Sequence, residues 1–187
     1  MSTKVLLAGL LGGLGMFVWM AVAHIVLPLG QAGIREIPNE QAVLSQMQAT
    51  IGTASGLYFF PGMDRSASMD KYAEKLAQNP SGILIYHPPG RQSMTGGQLF
   101  TEFVLEVIEA LLAALLLAQT RIGGFGGKVG FVAVTGILAS IATNGSYWNW
   151  YGFPGTYTLA NMTSQFVGFV VAGLVIAYFV KPPAVTT

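Results

Sequence analysis

TEFVLEVIEALLAALLLAQT, residues 101–120, is apolar enough for a lipid bilayer yet carries Glu102, Glu106 and Glu109. At 100° per residue the three carboxylates fall within about 60° of one another, and Gln98 joins the same face. The stripe continues as Ala113 and Leu116. At 1.5 Å per residue Glu109 lies roughly 16 Å inward from Gln98, close to mid-membrane, and Glu102 only about 6 Å. Glu102 is therefore the cheapest of the three to hold in a span and Glu109 the most costly. A carboxylate at the centre of a span costs a few kcal/mol, so it should face other helices and be paired or protonated.

The whole chain agrees with a membrane reading. Of 187 residues 52% are hydrophobic and 9% charged, with mean hydropathy +0.57, whereas a soluble domain carries about a quarter charged residues. The absence of cysteine excludes disulfides, thiolate metal sites and cysteine nucleophiles. A net charge of +1 gives no basic face for nucleic acid.

Four apolar segments are expected to span, at about 5–29, 98–118, 129–143 or a little beyond, and 161–180, each near the length a membrane helix needs. Lys4 and Ala21-Val22-Ala23 resemble a secretory signal, but the apolar run continues through Ile25, Val26, Leu27 and Leu29, so a retained span is preferred. Lys4, Arg121, Lys128 and Lys181 flank the spans on one side. The long segment with Arg35, Arg65, Lys71, Lys75 and Arg91 can cross regardless of its charge. Both termini are thus expected in the cytoplasm. The resulting fold class is an all-α membrane protein, a four-transmembrane-helix bundle with a small extracytoplasmic α/β cap. Its parts are 1–29 (first span), 30–97 (cap) and 98–187 (spans two to four with short loops).

Within the cap, Asn39 is a plausible N-cap for EQAVLSQMQATI, where Leu44, Met47 and Ile51 recur at helical spacing. GLYFF closes at Pro61-Gly62, Ser68 opens the helix MDKYAEKLAQ, and GILIYH ends at Pro88-Pro89-Gly90. The order is helix, strand, helix, strand, with the two strands expected to pair. His87 reads as a surface or packing residue.

The other spans offer faces that match the acids. Span one carries Gly9, Gly13, Met16, Met20 and His24; span three Gly136, Ser140, Thr143 or Asn144, and Tyr147; span four Asn161, Gln165, Gly168 and Ala172. Gly9-x-x-x-Gly13 alone needs only close helix contact. No lysine or arginine lies in a span, so His24 is the sole cationic candidate there. Candidate ligand- or ion-binding residues are therefore His24, Glu102, Glu106, Glu109, Asn144, Asn161 and Gln165. Tyr147, Trp148, Trp150 and Tyr151 form an aromatic cluster, read as an interfacial belt or as the mouth of a pocket.

Three functions follow from this pattern. The acids could bind a cation or relay protons, line an outward pocket for a small polar molecule or lipid headgroup, or sit at an interface within a larger membrane complex or homo-oligomer. The paired Glu-x-x-His motif of helical metal sites is missing, and no phosphate loop or nucleophile elbow occurs. No metal or cofactor is identified, and no motif assigns a reaction. The preferred reading is a non-enzymatic accessory or small-ligand-binding membrane protein with a polar outer-leaflet pocket. The alternative is a proton- or cation-handling transporter using the glutamates.

The layout resembles claudins in topology only, because the claudin-type tryptophan and paired cysteines of the first outer segment are absent. The runs YFFPG (58–62), IYHPPG (85–90) and YWNWYGFP (147–154), with YTLANMTSQ (157–165), are similar to uncharacterised bacterial four-span inner-membrane proteins. That resemblance implies a bacterial inner membrane and attaches no activity.

Overall fold

Ser2 opens the first helix by accepting a hydrogen bond from the Val5 backbone N–H, and α1 then runs Thr3–Ala21. Its continuation, Val22–Val26, loosens into a π turn in which Leu27 N–H donates to the Val22 carbonyl at 2.8 Å. Pro28 stops it, since the residue before a proline is driven out of the helical region, and Leu27 is extended. The computed structural model describes residues 2–64 and 66–181; Met1, Arg65 and the tail 182–187, including both chain ends expected in the cytoplasm, lie outside the described residues. Further helices are α2 (Glu40–Ile51), α3 (Met69–Gln78), α4 (Gly96–Ala118), α5 (Phe125–Tyr151) and α6 (Gly155–Phe179). Strands β1 (Gly56–Phe60) and β2 (Gly82–Tyr86) pair antiparallel, with Leu57 opposite Ile85.

Among the described residues three helical stretches are long and apolar enough to cross a membrane: Thr3–Val26, α5 and α6. Helix α4 matches them with 23 residues, about 34 Å, but carries the three glutamates. Its start is fixed by a capping box in which Thr95 Oγ1 accepts from Gln98 N–H and Gln98 Oε1 accepts from Thr95 N–H. Gln98 therefore serves as a capping residue at the start of that face. Helix α5 also runs past the expected end near Thr143, through Tyr151. Only then does Gly152, at φ 67°, turn the chain into α6.

The chain divides into two compact units. The first holds α1, α4, α6 and α5 up to Asn149; the second comprises Arg35–Ser93 with Trp150–Gly152. In the first unit small residues point inward and large ones outward. On α1, Gly9, Gly12, Gly13 and Met16 are buried while Leu10, Leu14 and Val18 are exposed. On α4, Ala110, Ala113, Ala114 and Leu117 are buried while Leu105, Ile108, Leu112 and Leu116 are exposed. This reverses the pattern of a soluble bundle and suits helices packing within lipid.

Close contacts depend on the glycines. A β-carbon on Gly9 would stand 2.8 Å from the Leu111 backbone, and Gly13 is set against Val107. Gly136 of α5 accommodates Phe169 of α6. Trp19 Nε1 donates to the Ser164 carbonyl at 2.8 Å, tying α1 to α6. Lys128 Nζ donates to the Val180 carbonyl at 2.7 Å, tying the start of α5 to the end of α6.

The second unit follows the expected helix, strand, helix, strand order. Ser68 caps α3, accepting from Lys71 N–H. Asn39 does not cap α2 through its side chain; it takes a left-handed conformation at φ 55°. Tyr86 is buried, donates to the Gly52 carbonyl at 2.9 Å, and meets the Tyr58 ring edge-on at 6.3 Å.

Candidate functional site

Helices α4 and α6 both pack on α1, and a cavity of about 110 Å3 lies among the three. Met16 and Met20 of α1 and Gln165 and Gly168 of α6 form part of its wall. Helix α4 supplies the rest: Leu105 and all three glutamates. Glu106 is ten residues beyond Gly96 and Gln165 ten beyond Gly155, so each stands roughly 15 Å along its helix. That equal depth brings them to one level.

The glutamates divide by direction rather than by depth. Glu106 shares a stripe with Ala110, Ala113 and Leu117, all buried, and is itself 6% exposed. Glu102 and Glu109 sit about 40–60° round the helix from it and are exposed. Glu109, expected to lie deepest in the membrane, is exposed on the helix surface, and Glu106 is the carboxylate that the protein encloses. The reason is α1: its glycine face meets α4 at Val107 and Leu111, and that register turns Glu106 inward.

Glu106 Oε2 is buried without a hydrogen-bond partner among the described residues. Unpaired buried polar groups are costly, and such a group in a native structure calls for an explanation. Met16, Met20 and Leu105 offer it only apolar surface.

The remaining candidates stand in different relations to this cavity. Gln165 lines it, and Asn144 of α5 reaches it through Gln165, its Nδ2 donating to Gln165 Oε1 at 3.0 Å and to the Ser140 carbonyl. Asn161 instead donates to the Tyr157 carbonyl of its own helix. Ser140 and Ser164 likewise donate to carbonyls one turn back, the usual way a hydroxyl is satisfied on an apolar helix. His24 is exposed in the π turn; its Nδ1 donates to the Met20 carbonyl at 2.9 Å and its ring covers Gly30. It does not line the cavity. Among the described residues no three acidic or histidine side chains converge in a way that would hold a metal ion.

Tyr147, Trp148, Trp150 and Tyr151 do not line the cavity either. All four are exposed at the end of α5. Tyr147 packs on Phe153, and Phe153 on Tyr157, each pair with ring centroids 5.5 Å apart. The cavity residues not singled out from sequence as site residues are Met16, Met20, Leu105 and Gly168. Met16, Met20 and Gly168 lay on faces recognised as small or polar, whereas Leu105 had no signal.

Comparison with protein-family models, with curated proteins and with solved structures gives no match.

Proposed function

We propose that the chain is a four-span integral membrane protein that binds a small polar ligand at Glu106, in a pocket bounded by α1, α4 and α6. The carrying observation is the buried Oε2 of Glu106, unpartnered in the wall of a cavity. Helix α4 serves as the fourth span, its length matching the other three and its exposed Ile108, Leu112 and Leu116 facing lipid. Residues 30–97 lie on the outer side of a bacterial inner membrane and both termini in the cytoplasm, which puts Glu106 and Gln165 in the outer half. An ionisable residue at that depth is rarely retained without a binding role.

Native mass spectrometry of the full chain released from detergent tests this reading. The wild type is expected to carry a small-molecule adduct that Glu106→Gln loses; identical spectra would remove the ligand-binding role.

A second reading, movement of protons or cations, is favoured by the presence of three carboxylates on one cavity. It requires proteoliposomes in which Glu106→Gln abolishes a pH- or cation-driven signal. The exposure of Glu109 suits an accessory role, with a partner chain or second copy covering that face.

A further inference from the structure

We infer that the occupant of the Glu106 pocket is an alkylammonium, a primary amine bearing a short carbon chain. This rests on the ligand-binding reading and names the chemistry of that ligand.

The first argument is donor need. Glu106 Oε2 finds no partner among the described residues. The occupant must bring its own N–H or O–H. The second argument is charge. Glu102, Glu106 and Glu109 line the cavity together, and its one other polar side chain is the neutral Gln165. Gln165 Oε1 already accepts from Asn144. With two further carboxylates on the rim, a cation gains from all three charges where a neutral donor gains from none.

The third argument is shape and polarity. The rest of the lining includes the thioethers of Met16 and Met20 on α1 and the side chain of Leu105 on α4. Methionine is soft and adaptable and suits a carbon chain of variable fit. A hard metal ion would find too few oxygen ligands, because no three acidic or histidine groups converge among the described residues. A half-acidic, half-apolar cavity matches an ion that is charged at one end and aliphatic at the other. Size agrees: an apolar cavity of about 150 Å3 takes a benzene ring, so about 110 Å3 takes on the order of four or five heavy atoms. Propylammonium and the ethanolamine end of a lipid headgroup each have four. The exposure of Glu102 and Glu109 on the rim leaves the cavity open sideways, so the same chemistry could arrive free or as part of a lipid.

Isothermal titration of the full chain in detergent with n-propylammonium tests the proposal, with n-propanol and Mg2+ as controls. Saturable binding is expected for the amine, weakened at least tenfold in Glu106→Gln. Met20→Ala should enlarge the cavity and shift preference towards n-pentylammonium, which keeps the test open if Glu106→Gln does not fold. Nanodiscs separate the sources. If phosphatidylethanolamine discs compete with propylammonium and phosphatidylglycerol discs do not, the amine is a lipid headgroup; equal binding in both assigns a free amine. No amine binding in detergent or in phosphatidylglycerol discs overturns the proposal, as does binding unchanged in Glu106→Gln. If Mg2+ or a neutral adduct binds in a Glu106-dependent way instead, the amine assignment falls and the pocket reading stands. If neither an amine nor any adduct depends on Glu106, both fall.

Discussion

Gly13 of α1 stands against the backbone of Val107 on α4, where no β-carbon has room. Val107 is the neighbour of Glu106, so the contact that holds the two helices together also decides which glutamate faces inward. Gly13→Leu is expected to cost about 1–3 kcal/mol, the usual range for overpacking, and to expose Glu106. Thermal unfolding in detergent reads the first effect. Gly130→Ala is the control, because Gly130 of α5 has open space around it and alanine gains about 1 kcal/mol of helix propensity. Equal behaviour of the two variants would contradict the α1–α4 register.

Asn144 and Gln165 join α5 to α6 by one hydrogen bond of 3.0 Å. Interhelical hydrogen bonds in membrane proteins contribute about 0.6 kcal/mol on average and up to about 2. A double-mutant cycle with Asn144→Ala and Gln165→Ala should return a coupling in that range. Gln165→Ala should also alter ligand affinity directly, and Asn144→Ala only by freeing the Gln165 side chain. Additive stabilities would mean the bond contributes nothing.

Lys128 donates to the carbonyls of Val180 and Ala177 at the C-terminal end of α6. A cation there satisfies carbonyls left open by the helix and complements its dipole. Lys128→Met should lower stability by about 1–3 kcal/mol, with Lys128→Arg recovering part of it. An unchanged melting temperature for Lys128→Met would count against the cap.

Much of this arrangement was legible in the sequence. The elements of the second unit, GLYFF and GILIY as paired strands and MDKYAEKLAQ as a helix capped by Ser68, follow from local turn and capping chemistry. Gly9-x-x-x-Gly13 announced a close helix contact, and that contact exists. The end of α5 was not legible: NGSYWNWYGFP offers no sharp boundary after Thr143, and the helix continues to Tyr151. Which of the glutamates the protein encloses was not legible either. Periodicity puts three acids on one stripe, but which edge of the stripe is covered depends on where α1 docks. The π turn that carries His24 away from the cavity has no sequence signature beyond the Pro28 that follows it.

Asp64 Oδ1 accepts from the Ser66 hydroxyl at 2.7 Å and from its backbone N–H at 2.9 Å. The hydroxyl first, then the N–H, holds this exposed carboxyl below its ordinary value of 3.8. A depressed folded value means that the loop's contribution is present above the ordinary value and is lost as pH falls through the lowered one. Ser66→Ala should move the Asp64 midpoint upward in an NMR titration. A midpoint that stays put would assign the shift elsewhere.

Glu106 carries the functional reading, and its stability effect should have the opposite sign to that of an ordinary core residue. Its Oε2 is buried and unpartnered beside Met16, Met20 and Leu105, so ligand-free protein bears the desolvation of that carboxyl with no return. Glu106→Met keeps the volume and removes the polar atom. It should stabilise the ligand-free protein by about 1–3 kcal/mol, the usual cost of an unsatisfied buried group. The same variant should lose all stabilisation by added ligand, since binding to the native state raises stability in proportion to occupancy. Unfolding of both proteins in detergent, with and without n-propylammonium, measures the two effects together. A structural Glu106, paired in the native membrane, predicts the reverse: Glu106→Met would be less stable under every condition. A retained acid that destabilises its own fold is the pattern of a site kept for binding.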